Sequence, residues 1–168
     1  MSTPATQIVT PVVDEGLGNS SYLVELGDGR ALVIDPSRDL RQVDRAAAGR
    51  GVSIAVVAET HLHADFVSGA TRLSARDGAS VIGSAAGERE FPHVGLHDED
   101  ELDLGGLRLR AWTTPGHTLE HLAYLLMDDD RTLGVFTGGS LIVGAAARTD
   151  LIGPDQTEPL ARAQFRSL

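Results

Sequence analysis

The chain is predicted to adopt an α/β fold, on three observations. Residues 37–83 alternate helix, strand, helix and strand. Two glycine turns, Gly27-Asp28-Gly29 and Gly105-Gly106, each break a run of alternating apolar residues into a hairpin. A short continuous apolar stretch, residues 54–58, reads as a buried strand that runs straight into a loop bearing two His and an Asp.

In chain order, residues 7–13 predict a first strand, and Pro11 places it at a sheet edge. Residues 19–26 and 31–35 predict the second and third strands around the glycine turn. Ser37 is the expected N-cap of a helix whose apolar stripe is Leu40, Val43 and Ala47, stopped by Gly49 and Gly51. The strand at 54–58 follows, then a helix from residue 67 or 68 to Asp77 with Gly78 as its stop, then a short strand at 80–83. Residues 84–100 are polar and expected to be irregular. Pro92 and Gly95 argue against a helix there, so His93 and His97 are read as surface residues. Leu102, Leu104, Leu107, Leu109 and Ala111 form the second hairpin. Strands at 123–127 and 132–136 flank the turn Asp128-Asp129-Asp130, and a last helix is expected at 159–168 with Thr157 as its cap.

A chain of 168 residues suffices for one domain, residues 1–168, with a sizeable core. The net charge of −10 argues against nucleic acid or an anionic membrane as partner. There is no Cys, so disulfides, thiolate ligands and a Cys nucleophile are excluded. Residues 1–6 lack a basic segment and an apolar run, which leads to the expectation of a cytoplasmic protein.

The chemistry centres on Glu59-Thr60-His61-Leu62-His63-Ala64-Asp65-Phe66 and Thr113-Thr114-Pro115-Gly116-His117-Thr118. Two imidazoles one residue apart in a turn can point at one small volume, and neutral imidazole is the commonest protein metal ligand. His61 and His63 are therefore candidate ligands with Asp65 beside them, and His117 stands in a second, equally telling loop. Asp35 ends its strand near these loops; a turn cap before Pro36 is the other reading. Glu120 and His121 are read as supporting or surface residues, with a replacement ligand as the alternative. Arg148 could grip an anionic substrate or pair with Asp150.

These segments resemble the metallo-β-lactamase fold, and within it the persulfide dioxygenase and glyoxalase II branch. The Thr-His-X-His-Ala-Asp-His signature reads Thr60-His61-Leu62-His63-Ala64-Asp65-Phe66, Thr-Pro-Gly-His-Thr is intact at 114–118, and Phe-Thr-Gly-Asp reads Phe136-Thr137-Gly138-Gly139. The resemblance implies an αββα sandwich, apparently shortened, because family members usually continue with a strand, a His and a helix. A truncated piece, a module of a longer protein and a short variant all stay open. It also implies that His61, His63 and His117 keep the first metal site, with Asp65 as general base toward its water, and that Phe66 and Gly139 stand where metal ligands are vacated, so the site is degraded and at most mononuclear, with one Fe(II) or Zn(II) per chain or none.

The function implied is a persulfide dioxygenase-like or thioester hydrolase-like metalloprotein acting on a small thiol-derived substrate such as glutathione persulfide or a thioester. The alternative is a non-catalytic binding or scaffold module, auxiliary to a rhodanese-type sulfurtransferase in one version. A homodimer stays open. Phe66 is expected to fill the vacated second site, with Phe66→Ala costing about 3–5 kcal/mol if the ring is enclosed; an exposed ring would instead line a substrate entrance, which makes Phe66, with Arg148, a candidate substrate-binding residue. Gly139→Asp is expected to tighten metal binding.

Overall fold

Glycine turns and alternating apolar residues divide the chain between two sheets. The computed structural model describes residues 8–16 and 18–168; the readings of residues 1–6 and of a strand start at Gln7 lie outside them. The elements are β1 (Val9–Asp14), β2 (Asn19–Glu25), β3 (Arg30–Ile34), α1 (Arg41–Arg50), β4 (Ser53–Ala58), α2 (Ala70–Asp77), β5 (Ser80–Ser84), β6 (Val94–Leu96), β7 (Glu101–Asp103), β8 (Leu107–Thr113), β9 (Leu122–Asp128), β10 (Arg131–Phe136) and α3 (Pro154–Ser167). One sheet has the order β1-β2-β3-β4-β5-β6, the other β10-β9-β8-β7. The first is antiparallel across β1, β2 and β3 and parallel from β3 to β6; the second is antiparallel throughout.

The period of two along each strand sends alternate residues into two cores. Ala31 and Val33 face α1 and α2, packing with Val43, Ala47 and Leu73. Leu32 and Ile34 face the second sheet, packing with Leu109, Tyr124 and Leu126. A register shift opposite Ala55 puts Ile54 and Val57 on the helix side, although they are three residues apart. Helix α3 packs on the loops that follow β8 and β10. Ser167 Oγ donates to Pro115 O (2.8 Å), and Gln164 Nε2 donates to Ser140 O. A side chain at Gly116 (φ 151°) would run into Gln164, so the Pro-Gly-His loop needs glycine there.

Several local expectations change. Helix α1 starts at Arg41 behind Leu40, with no side-chain cap. Ser37 is held in an antiparallel bridge to Ser68, so it cannot turn into the cap position. Ser68 Oγ instead accepts the Ala70 N–H at the start of α2 (3.0 Å). Residues 94–96, hidden by Pro92 and Gly95, add to the sheet beside β5 because parallel pairing needs only backbone groups. Helix α3 begins at Pro154, so Pro159 lies inside it, and Thr157 donates back to Gly153 O rather than capping.

The loops after β3, β4, β8 and β10 all open at one end of the sandwich. A parallel sheet exposes the carboxyl ends of its strands there, which is where α/β folds place ligands.

Candidate functional site

His61, His63 and His117 come together at that end. The His61 ring centroid lies 4.1 Å from that of His63 and 4.8 Å from that of His117. The hydrogen-bond network sets which nitrogen of each ring is spent. Thr60 Oγ1 gives its one proton to Asp35 Oδ2 (2.7 Å), so at its 2.8 Å contact with His61 Nδ1 it must accept. That leaves the His61 Nε2 lone pair unspent. His117 Nδ1 donates to Arg148 O (2.8 Å), which leaves Nε2. His63 Nε2 donates to Asp35 Oδ1 (3.1 Å), which leaves Nδ1 when the ring is neutral. One nitrogen held by the protein and the other free is the pattern of metal-binding imidazoles.

His121 differs. Its Nε2 accepts the Gly139 N–H (3.1 Å), so Nδ1 carries the proton and donates to Thr114 Oγ1 (2.8 Å). Both nitrogens are committed. His121 is a fully buried strut between the Pro-Gly-His loop and the loop after β10, with no lone pair to offer a metal. Glu120 is also structural: its Oε1 accepts the N–H of Leu62, between the two His (2.7 Å).

Asp35 is the carboxylate on which the His loop is built. It sits in left-handed backbone (φ 48°) and is buried. Besides Thr60 Oγ1 and His63 Nε2, it accepts the Thr60 N–H (2.8 Å). Burial alone would raise its pKa, but the hydrogen bond and charge of His63 hold it below the usual carboxylate range. Burial likewise works against a charged His63, yet the same contact lifts its pKa above the ordinary value. His61 is pushed down to about 4 by burial, then by the neighbouring His63, and His121 to about 3 by burial, then by His61.

The histidines form one end of a cavity of about 840 Å³ that also takes in Asp65, Phe66 and Gly139. Asp65 is exposed. Phe66 is half-buried, stacked on His63 at 4.1 Å between centroids, so the ring lines the cavity instead of being enclosed. The cost of Phe66→Ala is accordingly expected to be only about 1–2 kcal/mol, mainly a lost stacking partner. A shifted denaturant midpoint at unchanged m-value would check it. Gly139 faces the histidines: a Cβ built there would lie 2.5 Å from His117 Cδ2. Arg148 contributes its carbonyl, while its guanidinium forms a two-pronged pair with Asp150 (2.6 and 2.8 Å) away from the cavity wall.

His61, His63 and His117 therefore have the donor chemistry of a three-imidazole metal site. Among the described residues, no three His, Asp or Glu groups already stand at ligand spacing. The fit is thus one of donor type, and ring movements must complete it. No described helix is long and apolar enough to cross a membrane.

Comparison with known proteins identifies the family. The chain is 37% identical over 112 residues to the hydroxyacylglutathione hydrolase of Acidiphilium cryptum (strain JF-5), covering 66% of this chain and 45% of that protein. It is 33% identical over 141 residues to the hydroxyacylglutathione hydrolase of Methylococcus capsulatus (strain ATCC 33009 / NCIMB 11132 / Bath), covering 82% and 52%. It thus spans about half the length of the curated relatives it matches. Among solved structures, a metallo-beta-lactamase from Staphylococcus aureus subsp. aureus COL superposes with TM-score 0.86 at 32% identity, over 95% of this chain and 50% of that one. ETHE1 from Myxococcus xanthus superposes with TM-score 0.81 at 31% identity, over 95% and 67%. The sequence profile of the metallo-beta-lactamase superfamily matches residues 14–164, and the chain belongs to that superfamily.

Proposed function

We propose that the chain is a hydrolase of thiol-derived esters whose site holds at most one metal ion, on His61, His63 and His117. The observation that carries this reading is the set of three unspent imidazole lone pairs at the cavity end, with glycine at 139 where the resemblance places a carboxylate ligand. Three neutral His with an open fourth position suit catalytic zinc, whereas the usual iron set is two His and a carboxylate. When bound there, zinc supplies Lewis acidity toward a carbonyl oxygen and acidifies water. Asp65, exposed at the cavity, takes the proton of the attacking water on its carboxylate. Asp35 and Arg148 O hold the His63 and His117 rings in orientation. The water oxygen bonds to the acyl carbon, the carbon–sulfur bond breaks with its electrons going to sulfur, and the thiol leaves carrying a proton.

The names of the matched relatives point to glutathione thioesters as the reference substrate class. The likeness to ETHE1 supports a second reading, an iron-dependent persulfide dioxygenase. The two separate in one experiment. Protein loaded with zinc or Fe(II) is assayed for thioester cleavage without O2, and for O2 uptake with glutathione persulfide. The hydrolase reading expects the first activity, lost in His117→Ala. O2 uptake alone would overturn it in favour of the dioxygenase, and inactivity in both would leave a binding or scaffolding role. Elemental analysis is expected to find no more than one tightly bound metal per chain; two would overturn the mononuclear site.

A further inference from the structure

No Arg or Lys lines the cavity in front of the histidines. All fourteen basic residues of the chain are Arg; there is no Lys, and the residues outside the described part contain no Arg. None of the fourteen lines the cavity, whose two charged side chains outside the His cluster are the carboxylates of Asp35 and Asp65. The Arg best placed by chain position, Arg148, is tied to Asp150. Arg89 is fully buried beneath the His loop with Glu59.

The walls are mainly apolar, with Asn19, Ser20 and Thr137 as uncharged polar side chains among them. Tyr22, Ile34, Leu126 and Phe136, which belong to the core between the sheets or pack on it, extend the cavity inward from the site. At the rim, Leu141 and Ile142 are about half exposed and Val143 wholly so. A volume of about 840 Å³ is that of a pocket for a whole small molecule.

We infer that this cavity takes an uncharged thioester with an apolar acyl chain, in preference to a glutathione conjugate. An S-linked glutathione moiety carries two carboxylates and one ammonium, a net charge of −1. Here its carboxylates would face largely apolar walls and the exposed Asp65 carboxylate, with no Arg or Lys to pair them, in a chain of net charge −10. An alkyl chain meets no such opposition and gains from leaving water. The inference rests on the hydrolase reading for the thioester bond, and on the cavity alone for the chemistry of the rest of the ligand.

The open side of the cavity can be tested at Gly134, an exposed residue of the edge strand β10 that lines it. It pairs with Leu126, and Phe136 pairs with Tyr124, so these residues share the face turned to the inter-sheet core. A Cβ at Gly134 would meet nothing within 4 Å. Gly134→Leu therefore narrows the cavity without disturbing the fold.

The experiment measures binding by calorimetry with two non-hydrolysable thioethers bearing the same tail, S-octyl-N-acetylcysteamine and S-octylglutathione, beside hydrolysis of the matching octanoyl thioesters. The neutral thioether is expected to bind at least tenfold more tightly, with the gap narrowing as salt rises. Gly134→Leu should weaken it several-fold while sparing a short acetyl analogue. Equal or tighter binding of S-octylglutathione overturns the inference, as does binding of neither. Tight binding of the neutral thioether without hydrolysis of its thioester supports the ligand class and overturns the hydrolase reading. Preferential cleavage of the glutathione thioester supports the hydrolase reading and overturns the inference.

Discussion

Asp35→Ala is expected to destabilise the fold by about 3–5 kcal/mol, the cost of breaking a buried charged contact by removing one partner. The carboxylate is buried and accepts three hydrogen bonds, from Thr60 N, Thr60 Oγ1 and His63 Nε2. Its removal strands those donors away from water, where each unmet group costs about 1–3 kcal/mol before relaxation. The backbone adds to the loss, because φ is 48° and Asp tolerates left-handed conformation better than Ala. Asp35→Asn keeps a carbonyl acceptor and the backbone preference, so it should lose about half as much. Metal affinity should fall about 10–100-fold in either variant, since the His63 ring loses its anionic partner. Chemical denaturation and zinc titration check the two effects separately. A stability change under about 1 kcal/mol for Asp35→Ala would mean that water replaces the carboxylate in the loop.

At Gly139 the expectation from sequence has to be revised. Glycine in place of a carboxylate suggests that Asp would simply add a ligand. The backbone does reach the site, and Gly139 has no positive φ to oppose a side chain. However, the first carbon of any side chain would lie 2.5 Å from His117 Cδ2 and 3.1 Å from Nε2. His117 can give way only by straining its bond to Arg148 O. Gly139→Ala is therefore expected to weaken zinc binding about tenfold or more by tilting a ligand, as losing an orienting partner does elsewhere. Gly139→Asp meets the same obstruction but brings an anionic oxygen to neutral imidazoles, and should bind at least tenfold more tightly than Gly139→Ala. Equal affinities for the two variants would show that the restored carboxylate does not reach the metal.

What the sequence by itself determined is what short-range spacing can encode. The α/β alternation, the glycine turns and the three candidate ligands were legible because each depends on residues within a few positions of one another. His61 and His63 follow directly on β4, and His117 stands in an intact Thr-Pro-Gly-His-Thr run. Tertiary structure decided which nitrogen of each ring is spent. The deciding partners are Asp35, 28 residues before His63, and Arg148, 31 residues after His117. His121 read as a supporting or surface residue with a ligand role open; only the Gly139 amide, 18 residues away, commits its second nitrogen. Phe66 is half-buried because the loop packs its ring on His63 at the cavity edge. The absence of Arg from the cavity is likewise a matter of where fourteen Arg side chains fold. Sequence lists such groups, but hydrogen bonds and charge act through space, and only the closed sheets bring distant residues within their reach.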